Sequence, residues 1–267
     1  MGLYPPWVSG QNMTVHFIGA GPGASDLITL RGYNLLLNCP VVLYAGSLVP
    51  VDLLKHVRPD TKLIDTASLS LPQIIEYIEQ AHQAGFDVVR LHSGDPSIYG
   101  AIAEQISELK KRHIPFNIVP GVSSFAAAAA VLERELTLPA ISQTVILTRV
   151  EGKASPMPKN ESLENLAAAR ATMILYLSIR RLRYIVRTLI PFYGPKCPVA
   201  VCYRISWPDQ IIVRGELQDI VEKTKPFSIT RTALVIVGTV LTAELLQNSH
   251  LYDPEYEHIF RNKTGQD

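Results

Sequence analysis

The first half of the chain alternates short apolar segments with longer segments that carry apolar residues at helical spacing. These short segments lie at residues 15–18, 41–44, 62–65, 88–92 and 116–119, and each has the length of a strand. Strands that alternate with helices form parallel sheets, because each crossover returns the chain to the same edge of the sheet. The sequence therefore predicts an α/β lobe with a five-stranded, mostly parallel sheet that is covered on both faces.

Helices are predicted between these strands. They cover residues 26–38, the segment after Ser70, a face formed by Ile98, Ile102, Ile106 and Leu109, and residues 123–132. Ser25 or Asp26 is expected to cap the first of them. Ser70 and Gln73 have the spacing of a capping box, which predicts the start of the second.

The pattern changes near Pro139. Candidate strands follow at residues 145–147, 173–177, 199–203, 211–214 and 234–240. The last of these follow one another closely, which favours antiparallel or mixed pairing. The sequence therefore predicts a second αβα lobe with a mixed sheet. We assign residues 1–12 to a flexible extension, 13–139 to the first lobe, 140–246 to the second lobe and 247–267 to a peripheral tail.

Charge and composition argue against several classes of protein. The chain has 25 basic and 24 acidic residues, so its net charge of +1 offers no basic surface for nucleic acid or a membrane. Its three cysteines lack CxxC spacing and its seven histidines lack HxxxH or HxH spacing. We therefore expect buried thiols in a reducing compartment, a cytoplasmic location and no bound metal. No apolar run approaches the ~20 residues of a membrane span, and residues 1–12 lack the features of a signal peptide.

The loop after the first predicted strand has the fingerprint GxGxxA of dinucleotide-binding proteins. It spans residues 19–24 (GAGPGA), in the strand-to-helix position that the fingerprint requires. Two features oppose a nicotinamide site. Pro22 removes a backbone donor from the turn, and no acidic residue follows the second strand to bind a ribose. An NAD-dependent oxidoreductase stays open as an alternative, and the glycines otherwise indicate close backbone approach to a flat, bulky group.

Two further loops follow predicted strands and carry polar residues. The segment 93–100 (SGDPSIYG) places Asp95 at the carboxyl end of a strand, where open α/β sheets bind ligands. Asp95 is suited to accept hydrogen bonds from a ribose or an ammonium group, and a helix cap is an equal alternative. The segment 120–124 (PGVSS) leads into alanines, and its serines favour either a capped core helix or a helix N-terminus that attracts a carboxylate.

In this order, the loops resemble the signatures of the tetrapyrrole methyltransferases. The similar segments are residues 19–23 (GAGPG), 27–30 (LITL), 94–100 (GDPSIYG), 120–124 (PGVSS) and 232–238 (TALVIVG), and the resemblance covers roughly residues 14–241. Within the family, residues 43–49 (LYAGSLV) and 148–152 (TRVEG) resemble the branch that methylates C-11 of precorrin-4 or of its cobalt form. Ala101 stands where relatives that methylate uroporphyrinogen III have an arginine, whereas Glu104 matches them.

The resemblance implies an enzyme with two lobes and S-adenosylmethionine in the cleft between them. A tetrapyrrole would lie in a trough of the first lobe and receive a methyl group, in a step of cobalamin (vitamin B12) biosynthesis that leaves S-adenosylhomocysteine. The family resemblance also implies a homodimer. Another tetrapyrrole methyltransferase of the same pathway and a non-catalytic tetrapyrrole carrier stay open as alternatives.

The resemblance and the loop positions together give candidate site residues. Those expected to bind the cofactor are Gly94, Asp95, Ser97, Ile98, Ser123, Ser124, Leu177, Thr232 and Ala233. Those expected to bind the substrate are Pro22, Tyr44, Ser47, Tyr99, Glu104 and Arg149, with Glu104 and Tyr99 as candidates for a catalytic role. Leu177 has an equal alternative as a core residue, and Arg149 is expected to pair with a substrate carboxylate. The basic cluster Arg180, Arg181 and Arg183 is either a further carboxylate site or a solvated helix face.

Overall fold

The computed structural model describes residues 13–46, 48–152 and 156–243. The predicted extension 1–12, the predicted tail 247–267 and Ser47 lie outside these described residues. Within the described ranges, no helix is both long and apolar enough to cross a membrane. The same ranges contain no group of three or more His, Cys, Asp or Glu side chains that is arranged to hold a metal ion.

Within the described residues, the first sheet has five strands that all run in the same direction. They are β1 (Val15–Gly19), β2 (Val41–Tyr44), β3 (Lys62–Asp65), β4 (Val88–His92) and β5 (Phe116–Val119). Their order is β3-β2-β4-β1-β5, and each neighbouring pair is parallel. The predicted parallel sheet is confirmed. Because the strands share one direction, the loops at their carboxyl ends lie along one edge of the sheet.

Helices cover both faces of this sheet. They are α1 (Leu30–Asn38), α2 (Val51–Leu54), α3 (Leu71–Gln83), α4 (Ile102–Lys111) and α5 (Ser124–Leu132). Phe17 and Leu43 share one apolar core with residues of α3 and α4. Ile18 and Val42 share another with residues of α1 and α2. A strand that is buried on both faces needs apolar residues at successive positions, which is why β1 and β2 are almost entirely apolar, whereas the edge strand β3 (KLID) is mostly exposed.

Helix α1 begins later than predicted. It starts at Leu30 rather than at residue 26, because Ser25–Leu27 form a separate 3-10 turn. Thr29 caps the helix, and its Oγ1 accepts a hydrogen bond from the Gly32 N–H at 3.2 Å. The prediction that Ser25 or Asp26 caps this helix is therefore wrong.

The other helix predictions of this unit have mixed outcomes. The capping box of α3 is confirmed, and the Ser70 N–H donates to Gln73 Oε1 at 2.9 Å. Helix α4 begins at Ile102, directly after Ala101, whose φ is 50°. Ile98 therefore lies in the preceding loop and not on the helix face where the apolar spacing put it. A residue with positive φ interrupts the helix, so spacing alone did not locate its start.

In the described part of the chain, the second sheet has five strands in mixed directions. They are β6 (Val145–Arg149), β7 (Thr172–Tyr176), β8 (Pro198–Tyr203), β9 (Ile211–Glu216) and β10 (Ala233–Val237), in the order β6-β7-β10-β8-β9. β6 and β7 are parallel, and the other neighbouring pairs are antiparallel. The predicted mixed sheet is confirmed. Helices α6 (Leu163–Ala167), α7 (Leu182–Tyr193) and α8 (Ile220–Thr224) share one apolar core with this sheet.

Two strands of the second sheet end earlier than predicted. β7 ends at Tyr176, because Leu177 turns the chain with a φ of 53°. β10 ends at Val237 and not at residue 240, because Gly238 has a φ of 153° and a 3-10 turn follows at Thr239–Leu241. Leu177 is thus part of a turn at the end of the sheet.

The chain divides into two compact units. Among the described residues, the first comprises 13–127 with Ser206–Pro208, and the second comprises 128–205 with 209–243. Ser206–Pro208 come between β8 and β9 in the chain, yet they belong to the first unit. The predicted functional division between residues 139 and 140 stays a prediction.

Candidate active site

Three loops at the carboxyl ends of β1, β4 and β5 touch one another through glycines. An ideal Cβ on Gly19 would lie 2.5 Å from the Gly121 Cα and 2.5 Å from the Gly94 carbonyl oxygen. A Cβ on Gly121 would overlap the same carbonyl oxygen. Protein interiors have no room for such overlaps, so the three loops meet this closely only because these residues are glycine.

Backbone hydrogen bonds join the first two of these loops. The Gly94 N–H donates to the Gly21 carbonyl oxygen at 2.7 Å, and the Gly21 N–H donates to the Gly94 carbonyl oxygen at 3.3 Å. Both residues have positive φ, 80° at Gly21 and 64° at Gly94. The N–H of Gly21 therefore donates to the neighbouring loop. In a dinucleotide site, the N–H groups of this loop would instead donate to the pyrophosphate.

Asp95 joins the second loop to the third. Its Oδ2 accepts from the Gly121 N–H at 2.8 Å, and its Oδ1 accepts from the Ser97 N–H at 2.8 Å and from the Ser97 hydroxyl. Desolvation raises the pKa of Asp95, but the hydrogen bonds from Ser97 and Gly121 outweigh it and lower the pKa below its ordinary value. The alternative of a cap on α4 is wrong, since that helix begins after Ala101. The carboxylate instead connects two loops.

The second loop also lies next to the start of α5. From an ideal Cβ on Gly94, the nearest atoms are the Ser123 Cα and the Ser124 nitrogen, both at 3.8 Å. The Ile98 N–H donates to the Asp95 carbonyl oxygen at 3.2 Å, which closes a turn in the second loop. The structure thus brings together the cofactor candidates of the first unit, with Gly94 in van der Waals range of the start of α5.

In the second unit, the remaining cofactor candidates lie at one end of two neighbouring strands. β7 and β10 pair with Leu175 opposite Val235, so Leu177 and Ala233 each lie two residues beyond this pair, at the same end of the two strands. Leu177 is 76% exposed, which rules out its interpretation as a core residue. Leu177 and Thr232 both have a φ of 53°, which non-glycine residues rarely adopt and β-branched residues almost never. Strained residues of this kind cluster at functional sites.

Arg149 lies at the same end of the second sheet. It is the last residue of β6 and pairs in register with Tyr176 of β7, the neighbour of Leu177. Its Nη2 donates to the Pro156 carbonyl oxygen at 3.2 Å. The structure therefore brings Arg149 to the same strand ends as the cofactor candidates of this unit.

The basic cluster Arg180, Arg181 and Arg183 lines a groove of about 650 Å³ in the second unit. Arg180 Nε donates to the Thr230 carbonyl oxygen at 3.0 Å. The Arg181 guanidinium lies 4.8 Å from the centre of the Tyr184 ring. These contacts occupy part of the cluster within its own unit, and its role as a carboxylate site stays a prediction.

Two substrate candidates of the first unit, Tyr99 and Glu104, line a cavity of about 320 Å³. We call this the β4 cavity, and it is lined by Ala45, Leu48, Leu71, Ile74, Arg90, Leu91, His92, Ser93, Tyr99, Gly100, Ala101, Glu104 and Gln105. Tyr99 is 43% exposed and has a φ of 55°. Tyr44 does not line this cavity, and its carbonyl oxygen accepts from the Thr66 N–H at 2.8 Å. Ser47 is outside the described residues.

Pro22 contacts residues that the sequence analysis missed. Trp207 Nε1 donates to the Pro22 carbonyl oxygen at 3.0 Å. The Ala24 N–H donates to Ser206 Oγ at 2.9 Å, and a Cβ on Gly23 would overlap the Trp207 ring. The segment Ser206–Pro208 thereby holds the glycine loop from a distant part of the chain. The glycine at position 23 was a signal of close approach, but it did not identify the partner.

Comparisons with known proteins agree with this arrangement. A sequence profile of the family described as tetrapyrrole (corrin/porphyrin) methylases matches residues 14–221. A precorrin-4 C(11)-methyltransferase of Sinorhizobium sp is 51% identical over 251 residues, which cover 94% of this chain and 99% of that protein.

Two solved structures are also similar. The structure of a cobalamin biosynthetic enzyme, cobalt precorrin-4 methyltransferase, is 40% identical and has a TM-score of 0.85, and the match covers 91% of this chain and 100% of the chain in that structure. Uroporphyrin-III C-methyl transferase from Thermus thermophilus, solved with S-adenyl homocysteine, is 27% identical, has a TM-score of 0.72 and covers 86% of this chain and 93% of its own.

Proposed function

Because the chain belongs to the tetrapyrrole (corrin/porphyrin) methylases, we propose that it methylates C-11 of precorrin-4 or of its cobalt form in cobalamin biosynthesis, with S-adenosylmethionine as donor. The observation that carries this proposal is the 51% identity to a precorrin-4 C(11)-methyltransferase over 94% of this chain. The structural similarity to a cobalt precorrin-4 methyltransferase supports it further. We also propose that the enzyme is a cytoplasmic homodimer.

The proposed reaction is a direct displacement. S-adenosylmethionine supplies an electrophilic methyl group on a sulfonium. The protein's task is then to align donor and acceptor and to exclude water, and alignment of this kind contributes about 7–11 kcal/mol of barrier lowering. Loops that are held rigidly by close backbone contacts suit this task, as the contacts among Gly19, Gly94 and Gly121 do.

The proposed cofactor contacts form one set in each unit. In the first unit they are Gly94, Asp95, Ser97, Ile98, Ser123 and Ser124, and in the second they are Leu177, Thr232 and Ala233. The close approach of Gly94 to Ser123 and Ser124 puts the two polar loops side by side, which suits a ligand that contacts both. The positive end of α5, which begins at Ser124, suits the carboxylate of the donor. Leu177 is exposed and held in a strained turn, as expected for a side chain that contacts a ligand.

The proposed substrate contacts are Pro22, Tyr44, Ser47, Tyr99, Glu104 and Arg149. Tyr99 and Glu104 are supported by the β4 cavity, which they line together. The exposed carboxylate of Glu104 is suited to accept hydrogen bonds from pyrrole N–H groups or to take a proton. Arg149 has the planar, charged fork that pairs with a carboxylate of the substrate.

Mass spectrometry tests the proposed reaction. Precorrin-4 and cobalt-precorrin-4 would each be incubated with the enzyme and with methyl-labelled S-adenosylmethionine. We expect one labelled methyl group on at least one of the two substrates, located at C-11 by fragmentation or NMR. The absence of methyl transfer to both substrates, in a preparation that binds S-adenosylhomocysteine by calorimetry, would contradict the proposed acceptor.

A further inference from the structure

Arg90 is a buried cation without an acidic partner in the described part of the chain. It lies in β4 and is 6% exposed. Its Nε donates to Gln105 Oε1 at 3.1 Å and its Nη1 to the Leu43 carbonyl oxygen at 3.4 Å, so both partners are neutral. Burial lowers the pKa of Arg90 to about 10, which still leaves the side chain charged at neutral pH. Buried charges in proteins are usually paired, so this position lacks an expected anion.

The guanidinium of Arg90 has N–H groups at the β4 cavity that donate no hydrogen bond to a described residue. It carries five N–H groups, and its Nη2 has no hydrogen-bond partner among the described residues. Arg90 lines the cavity, whose volume is about 320 Å³. Since one water molecule takes up about 30 Å³ of liquid, the cavity has room for a ligand group of several heavy atoms.

A second buried polar atom at the same cavity also lacks a partner. His92 follows Arg90 by two residues on the same face of β4 and is 7% exposed, and its Nε2 has no hydrogen-bond partner within the described ranges. Burial and then the charge of Arg90 lower the pKa of His92 to about 3, although a backbone hydrogen bond with Gly100 raises it. His92 is therefore neutral. Buried polar groups normally find a partner, so the two unused groups together indicate a polar ligand.

The rest of the cavity suits a short aliphatic arm. Leu48, Leu71 and Ile74 supply apolar surface next to the buried guanidinium. Glu104 also lines the cavity, but it is exposed to solvent whereas Arg90 is buried. An anion that reaches Arg90 must therefore enter the apolar part of the cavity, and an arm that carries the anion on methylene groups fits these walls better than a small free anion.

We propose that Arg90 binds one carboxylate of the tetrapyrrole substrate, with the carboxyalkyl arm lying against Leu48, Leu71 and Ile74. This inference rests on the proposed function and identifies which part of the substrate the β4 cavity recognises. The planar guanidinium matches a carboxylate through parallel N–H donors. Arg90 then determines the placement of the macrocycle in the first unit. The substrate carboxylate becomes the acidic partner that Arg90 lacks among the described residues.

Three variants test this role. Arg90→Gln removes the charge, Arg90→Lys keeps the charge without the planar fork, and Arg112→Gln is a control whose arginine pairs with Glu79 and Glu108 at the surface. We expect the KM for the methyl acceptor to rise about tenfold or more in Arg90→Gln and by less in Arg90→Lys. The control should keep the wild-type KM. All three should bind S-adenosylhomocysteine with wild-type affinity in calorimetry, which separates substrate binding from general damage.

A second measurement tests the carboxylate directly. Uroporphyrin and its octamethyl ester would be compared for binding to wild type and to each variant by equilibrium dialysis. Wild type should prefer the acid, and Arg90→Gln should reduce that preference by about tenfold. If Arg90→Gln fails to fold, Arg90→Lys gives the same readout with a smaller expected change.

The outcomes distinguish this inference from the proposed function. A folded Arg90 variant with wild-type KM and wild-type preference for the acid would overturn the role of Arg90, even when the enzyme methylates precorrin-4. If wild type methylates neither form of precorrin-4, the proposed function fails, and the comparison of uroporphyrin with its ester still decides whether Arg90 binds a carboxylate.

Discussion

The turns at the ends of the two sheets differ in how they change the direction of the chain. In the first unit, the loops after β1 and β4 turn at Gly21 and Gly94, and they pack backbone against backbone. In the second unit, the turns beside β7 and β10 place Leu177 and Thr232 in the same left-handed region. A non-glycine residue costs about 1 kcal/mol there, which glycine would avoid. The first set of loops is thus built for close packing, and the second set presents side chains.

The first unit contains turns of the second kind as well. Tyr99 and Ala101 have φ values of 55° and 50°, and both line the β4 cavity. The contrast is therefore not one between the two units as such. In these loops glycine occurs where backbones touch, and the positive φ values of Tyr99, Leu177 and Thr232 fall at surfaces that we assign to ligands, although residues elsewhere, such as Ser228, also have positive φ.

The largest effect is expected where the loops touch. Gly121→Ala puts a Cβ into the Gly94 carbonyl oxygen and should destabilise the protein by about 2–3 kcal/mol. The melting temperature should then fall by about 5–10 °C, as measured by calorimetry. Gly152→Ala is the matched control, because no described residue beyond its chain neighbours has an atom within 4 Å of its ideal Cβ. Equal melting temperatures for the two variants would show that the three loops do not need their glycine contacts.

A smaller effect is expected from the link between loops. Asp95→Ala removes the acceptor for Gly121 and Ser97 and should cost about 1–2 kcal/mol, measured by urea denaturation. It should also raise the Kd for S-adenosylhomocysteine in calorimetry. Asp52→Ala is the control, since that exposed carboxylate pairs with Lys55 and takes no part in contacts between these loops.

The effect of Asp95 should depend on pH in a definite direction. Its hydrogen bonds lower its pKa in the folded state, so its contribution to stability is full above the unfolded pKa of about 3.9. That contribution is lost as the pH falls through the folded pKa. The difference in unfolding free energy between wild type and Asp95→Ala should therefore shrink in acid. A difference that stays constant from neutral pH to pH ~3 would exclude the ionised carboxylate as its source.

The smallest effect on stability is expected at the strained turn. Leu177→Gly relieves the left-handed conformation of an exposed side chain, so unfolding free energy should stay level or rise by up to about 1 kcal/mol. Affinity for S-adenosylhomocysteine should nevertheless fall. Ser228→Gly, at a φ of 50° and with no proposed contact, should match its stability without the loss of affinity. If Leu177→Gly binds as tightly as wild type, strained residues do not mark the ligand surface.

The first sheet was predicted well because its signal is local. Its central strands β1, β2 and β4 are mostly apolar and buried, and their length and composition depend on no distant residue. The start of α1 was not predicted, because Ser25, Asp26 and Thr29 are all good caps. Thr29 Oγ1 also donates to the Pro120 carbonyl oxygen at 3.4 Å, a contact across the fold that no sequence pattern contains.

The amino-acid pattern alone was enough for the two α/β lobes, the parallel and mixed sheets and the polar loops at the strand ends, because these follow from the periodicity of neighbouring residues. Only the folded chain decided that Asp95 bonds Gly121 and that Trp207 reaches Pro22 across 185 residues. The same is true of Arg90, which is buried with no acidic partner among the residues that the structure describes. Those contacts depend on strand order and packing between distant segments. An arginine in an apolar strand, such as Arg90 in β4, has the same sequence pattern whether or not an acidic residue lies beside it in the folded protein.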